Sequence, residues 1–173
     1  MKLKLTLVLM VLFVYSSFSQ TTTNDFKVGH IFTVSLPSYM TKTTGINSAA
    51  SLQYKNTVKD VYGFIIEDSK EELKILEINY TSAKEFYDDF IKDFLPKEKN
   101  RKVSEPIMKK IGDNSFVDVD FSYYDKDAKA EIYYSIGIVE TPTTFYKILT
   151  WATAANKDKF KADFQKIIYS IKD

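Results

Sequence analysis

Cysteine is absent from all 173 residues. That excludes disulfides, cysteine nucleophiles and thiolate metal sites, so stability has to come from a packed core. Histidine is nearly absent too. His30 is the only one, and no other side chain titrates near neutrality unaided. There is little excess of either charge, with 24 basic against 23 acidic residues. Such a surface carries no basic footprint for nucleic acid and no polycationic patch for a membrane. The G-x-S-x-G signature of a nucleophile elbow is missing as well. Beyond the first twenty positions no apolar run is long enough to span a bilayer.

The start of the chain has the marks of export. Lys2 and Lys4 precede an uncharged apolar run from Leu5 to Tyr15, and Ser17-Phe-Ser19 supplies small residues for signal peptidase. The run falls short of the roughly 18–20 residues a transmembrane helix needs. A signal peptide over residues 1–19, cleaved before Gln20, is therefore expected. With no cysteine at the cleavage point, a lipid-anchored lipoprotein is excluded. Removing 19 of the 173 residues leaves 154 and takes away two lysines, so the mature chain carries 22 basic against 23 acidic residues. A single soluble, exported domain over 20–173 is expected from that length.

Aromatic residues are what the chain has in plenty, with 12 Tyr and 13 Phe. The stretch from Glu131 to Lys172 organises the rest. Glu131–Val139 and Thr144–Ala152 are rich in β-branched and aromatic residues, and Glu140-Thr-Pro-Thr143 between them has turn chemistry. The pair predicts a β-hairpin. From Asn156 the period changes to that of a helix, with Phe160, Phe164, Ile167, Ile168 and Ile171 in one stripe. Burying each of those side chains is worth roughly 1.5–3 kcal/mol before entropy is subtracted.

Ahead of the hairpin, Thr21–Asn24 reads as a mobile polar lead-in. Strands are predicted over Phe26–Val28 and Ile31–Ser35, with Pro37 ending the run. Ser38–Ala50 reads as a loop, and Ser51–Lys55 and Val61–Glu67 as the next strands. Ser69-Lys-Glu-Glu72 and Ser82-Ala-Lys-Glu85 both fit the capping box S-x-x-E. The first opens a short helix to about Leu76. The second opens a better one whose stripe is Ala83, Phe86, Tyr87, Phe90, Ile91, Phe94 and Leu95, stopped by Pro96. Lys97–Lys102 is a polar connector, and Ile107–Lys110 a weak strand before a turn at Gly112-Asp-Asn114. Phe116–Tyr123 alternates, with Val117, Val119, Phe121 and Tyr123 on one face and Asp118, Asp120 and Ser122 on the other.

Helices grouped between runs of strands favour α+β with a largely antiparallel sheet of about seven strands. Ile132, Tyr134, Ile136 and Ile138 line one face of the central strand, while Tyr133 and Val139 make the other partly apolar. A sheet apolar on both sides needs cover on both, which predicts an α/β/α sandwich with the two good helices on opposite faces.

This order of elements resembles PsbP-like domains. The resemblance is carried by Phe32-Thr-Val-Ser-Leu-Pro37 near the mature start and by Tyr146-x-x-Leu149. At the C-terminus it is carried by Phe160, Phe164 and Ile167-x-x-Ser170, and it spans nearly all of the mature chain. It implies an α/β/α sandwich around an antiparallel sheet, and a docking module rather than an enzyme. Metal sites suggested for photosynthetic members use histidines; with His30 alone, no site carries over.

Several side chains are candidates for chemistry. His30, beside Gly29 at a strand junction, reads as a turn histidine rather than a general base. Asp118 and Asp120 stand about 7 Å apart along one strand face, a spacing within reach of glycosidase carboxylate pairs. The simpler reading is a solvated polar face. Asp125-x-Asp127 lacks the later positions of a calcium loop and reads as a hairpin turn. Asp88 and Asp89 read as solvent-side partners of Lys84 and Lys92, and the Lys97–Lys102 run as a solvated loop. Asn79-Tyr-Thr81 matches a glycosylation sequon. Tyr123, Tyr124, Tyr133, Tyr134 and Tyr146 lie on neighbouring predicted strands and are the candidates for an interaction surface, since amphipathic rings on an open sheet face suit a protein or glycan. The simpler and preferred reading packs them beneath the two helices, whose stripes need partners.

The function expected from these readings is an exported, non-enzymatic module that binds another macromolecule in the cell envelope or outside the cell, without cofactor or metal. The alternatives are a carrier of a small apolar ligand in a helix–sheet cleft and a hydrolase using Asp118 and Asp120.

Overall fold

A computed structural model describes residues 21–173 apart from His30 and Lys99. The expected signal peptide and the reading of His30 lie outside the described residues.

The architecture grows from three long strands. Asn114–Asp125 (β8), Ala130–Glu140 (β9) and Thr144–Thr153 (β10) form an antiparallel meander. Asp125 makes the first turn, its Oδ1 accepting the N–H groups of Asp127 and Ala128 at 2.8 and 2.9 Å. Val61–Ser69 (β5) joins β10, Leu52–Asn56 (β4) joins β5, and the two-residue strand Thr41–Lys42 (β3) ends that side. On the other side β8 pairs with Lys102–Val103 (β6) and Ile107–Ile111 (β7). Every strand pairing among the described residues is antiparallel. Thr23–Val28 (β1) and Phe32–Pro37 (β2) make a separate hairpin.

Two capped helices, Lys70–Ile75 (α1) and Ala83–Asp93 (α2), lie between the two runs of strands. Ser69 Oγ accepts from Glu72 N, and Ser82 Oγ from Glu85 N. The Glu85 carboxylate reaches past its own cap to Thr81, accepting from N and Oγ1 at 2.7 Å each. The last helix, Lys157–Tyr169 (α3), follows a 3-10 turn at Ala154–Asn156.

Alternation along the strands decides what each helix covers. Val117, Val119, Ile138 and Phe145 point to α2 and meet Ala83, Phe86 and Tyr87. Phe116, Tyr133, Val139, Tyr146 and Ile148 point the other way, to Phe160, Phe164, Ile167 and Ile168 of α3 and to Phe32, Val34 and Leu36 of β2. The result is an α/β/α sandwich, with the β1–β2 hairpin sharing the α3 layer. The Thr33–Lys172 bridge and the bond from Ser35 N to Ser170 Oγ tie that hairpin to the end of α3.

Four expectations need correction. The lead-in is partly strand, because Thr23 pairs with Pro37. A short strand, β3, lies inside the segment read as a loop. The two-residue strand β6 begins inside the segment read as a polar connector and is likewise too short to show a period; with β3 it brings the main sheet to eight strands among the described residues, in keeping with the expected sheet of about seven. The α2 helix ends at Asp93, not Leu95: Phe94 is already extended and Leu95 takes a φ of 48°, in keeping with the bar to α geometry before Pro96.

Candidate functional site

The pair Asp118 and Asp120 was expected on a solvated face. Instead α3 lies over them. The helix buries its apolar stripe on this side of the sheet and brings a row of polar side chains with it. Asp118, 3% exposed, accepts from Gln165 Nε2 at 2.7 Å and from the Tyr169 hydroxyl at 3.2 Å, both on Oδ2. Asp120 Oδ1 accepts from the Tyr133 hydroxyl at 2.8 Å. Its Oδ2 takes Lys161 Nζ at 2.6 Å and Lys157 Nζ at 2.8 Å.

Electrostatics follow from those contacts. Burial pushes the Asp120 carboxyl up, but the bonds from Lys157, Lys161 and Tyr133 outweigh it and hold the group below its ordinary range. The Tyr133 hydroxyl is pushed far above its usual value by burial and by the bond to that carboxylate. Tyr169 rises to about 12 through burial and the Asp118 charge. An ionised Asp120 neutralised by two lysines has no proton to give near neutrality and its oxygens are already engaged. Asp120 and Tyr133 themselves line an open cleft of about 370 Å³, together with Lys102, Ser122, Glu131 and Lys157. Glu131 there accepts from Lys102 Nζ at 2.8 Å and from Ser122 Oγ at 2.9 Å.

The five tyrosines do not share an open face. Tyr133 and Tyr146 are buried on the α3 side, where Tyr133 stacks on Phe164 with ring centres 6.2 Å apart and Tyr146 meets Phe32 edge-on at 5.1 Å. Tyr123 is buried and Tyr134 half-buried on the other side; they stack on each other at 6.3 Å, and Phe94 packs edge-on to Tyr134. Only Tyr124, 46% exposed, is open to a partner. Helical stripes on both sides of the sheet needed apolar floors, and the tyrosines supply them.

Exposed apolar surface is found elsewhere. On β7, Ile107 is 50%, Met108 63% and Ile111 54% exposed, and Val103 of β6 continues the edge. Between β7 and the first turn of α2 runs an open groove of about 340 Å³, lined by Ala83, Lys84, Met108, Lys110, Val117 and Glu140. A third cleft, of about 380 Å³, lies between α2 and the sheet; Tyr80, Phe86, Phe90 and Phe94 line it alongside the charged Asp68, Asp89, Asp93 and Lys147. Sequence reasoning passed over β7 as a weak strand. The signal that could have found it is two adjacent lysines framed by Ile107, Met108 and Ile111 ahead of a tight turn.

Among the described residues, no cluster of three or more His, Asp or Glu side chains suited to a metal ion is found, and no helix is long and apolar enough to cross a membrane.

Comparison with solved structures bears on the fold. The chain superposes on the solution structure of cyanobacterial PsbP (CyanoP) from Synechocystis sp. PCC 6803 with a TM-score of 0.63, covering 90% of this chain and 95% of that one at 9% identity. The fold is PsbP-like. A second match, the crystal structure of LpqN of Mycobacterium tuberculosis, gives a TM-score of 0.56 over 87% of this chain and 89% of that chain, at 12% identity. LpqN is described as involved in cell envelope biogenesis. No family model and no curated protein sequence matches the chain. At identities this low the shared PsbP-like architecture transmits the fold and not the site.

Proposed function

We propose that the protein is an exported, non-enzymatic module that acts by binding another macromolecule in the cell envelope or outside the cell. The observation that carries this reading is where the apolar surface lies. Aliphatic side chains are exposed on both faces of the β6–β7 edge, Ile107 and Ile111 on one and Val103 and Met108 on the other, and exposed apolar surface of this kind marks contact surfaces. The carboxylates that hydrolysis would require are instead engaged by Gln165, Tyr169, Tyr133, Lys157 and Lys161. The envelope setting is supported by the amino-terminal sequence and by the involvement in cell envelope biogenesis of LpqN, whose fold this chain shares.

The test is chemical cross-linking in envelope preparations from the producing cell, comparing the native protein with an Ile107→Ser, Met108→Ser variant. A discrete cross-linked species that the variant loses is expected. Equal cross-linking by both proteins, or none by either, overturns the reading. Export is checked separately by N-terminal sequencing of the purified protein, which should begin at Gln20.

The aromatic rings of Tyr80, Phe86, Phe90 and Phe94 in the cleft between α2 and the sheet favour a second reading, carriage of a small apolar ligand against those rings. Native mass spectrometry of protein purified from its own host decides it: a bound small molecule, displaced by Phe90→Trp, is expected on this reading alone.

A further inference from the structure

We propose that β7 is a strand-addition site for an extended acidic segment of a partner protein. The inference rests on the docking reading above and names the partner's chemistry.

β7 is paired with β8 on one side, and among the described residues no strand pairs with its other side. Antiparallel hydrogen bonding alternates along a strand, so every second residue of β7 directs its N–H and C=O away from β8. A row of such groups is a template for another strand. All five side chains of β7 are exposed, so nothing described covers the edge.

The side chains select what can be added. By register Ile107, Lys109 and Ile111 share the face of Asp118 and Phe116, while Met108 and Lys110 share the face of Val117 and Ser115. Each face therefore offers an incoming strand both an apolar contact and a lysine. On the second face the groove beside α2 can receive a side chain from the added strand against Ala83, Met108 and Val117.

Nearby acidic groups do not neutralise these lysines. Asp118 is held by Gln165 and Tyr169, and Glu140 by Ala83 N and Lys70. Among the described residues neither Lys109 nor Lys110 is in an ion pair. Lys109 Nζ instead lies 4.5 Å from the ring centre of Tyr169.

The same lysines count against a second copy of this chain as the occupant. Antiparallel self-pairing about the middle of β7 sets Lys109 of one copy directly opposite Lys109 of the other, with Lys110 opposite Met108, and like charges directly opposite are destabilising. An acidic strand meets the opposite condition: its carboxylates face cations while its backbone completes the edge.

The experiment uses a capped octapeptide alternating valine with glutamate, titrated into the intact protein and followed by calorimetry and amide hydrogen exchange. Saturable binding that weakens with salt and slows exchange within 107–111 is expected. Two controls separate strand addition from loose charge attraction. N-methylation of alternate peptide amides should weaken binding about tenfold or more, as should Lys109→Glu with Lys110→Glu, each tenfold corresponding to about 1.4 kcal/mol. The charge-reversed variant should in turn bind the matching valine–lysine peptide. Its folding is checked by thermal unfolding, and the N-methyl control needs no variant at all.

No saturable binding, or binding indifferent to N-methylation, overturns the proposal. Such a result alongside an intact Ile107- and Met108-dependent cross-link in envelope preparations removes strand addition and leaves the docking reading standing. Loss of both removes the docking reading as well.

Discussion

Gly137 lies directly beneath Ile168. A Cβ built on Gly137 would come within 2.5 Å of Ile168 Cγ1 and 2.7 Å of Cγ2. This is where α3 touches the central strand, and the missing side chain lets the helix sit close enough to cover Asp118, which neighbours Gly137 across the ladder. Gly137→Ala should therefore overpack the contact and lower stability by about 1–3 kcal/mol. Ile168→Ala in the same chain should recover part of that loss, because the two positions share one space and are not additive. Denaturant unfolding of the two single variants and the double variant measures this coupling, and simple additivity would show that the contact is not the cause.

Glu140 joins three segments at the end of β9. Its Oε2 accepts the Ala83 N–H at 2.7 Å at the start of α2, and its Oε1 accepts Lys70 Nζ at 2.8 Å at the start of α1. A carboxylate at a helix N-terminus is favoured by both the free N–H and the dipole. Glu140→Ala should cost about 1–3 kcal/mol, since it strands a partly buried N–H and a lysine together. Glu140→Gln, which keeps an acceptor, should cost less. Equal unfolding midpoints for the two variants would show that only the charge matters there.

The ion cluster at Asp120 makes a pH prediction with a definite sign. The folded-state pKa lies below the ordinary 3.8 because donation from Lys157, Lys161 and Tyr133 exceeds the cost of burial. A depressed carboxylate stabilises the fold fully above its unfolded value and loses that contribution as pH falls through the lower folded value. Asp120→Asn should thus be less stable than the native chain at neutrality, with the gap beginning to narrow near pH 3.8 and closing only below the lower folded-state value. Urea midpoints taken from pH 7 down to pH 2.5 would reveal the convergence; a constant gap across that range contradicts the assignment.

Burial separates the tyrosines that the sequence grouped. Tyr133→Ala, beneath α3 against Phe164, should cost about 3–5 kcal/mol by analogy with other buried aromatics. Tyr124→Ala should stay within about 0.5 kcal/mol, as exposed substitutions usually do. The comparison is made by denaturant unfolding at neutral pH. A large loss at Tyr124 would mean that its exposed ring is held by contacts of structural weight.

Much of this fold was legible in the chain because it is locally encoded. Ser69 and Ser82 announce the helix starts through their own hydroxyls, and Phe160, Phe164, Ile167 and Ile168 announce α3 by spacing alone. Strict alternation in β8 and β9 established which residues share a face, and a sheet apolar on both faces called for helices on both. Tertiary structure decided what periodicity does not carry: which element covers a face and which strand is left at an edge. The Asp118 and Asp120 face looked solvated because its partners, Gln165, Tyr169, Lys157 and Lys161, arrive from some forty to fifty residues further along. The exposure of Ile107, Met108 and Ile111 depends on β7 having a neighbour on one side alone, a property of the sheet order and not of any five-residue segment.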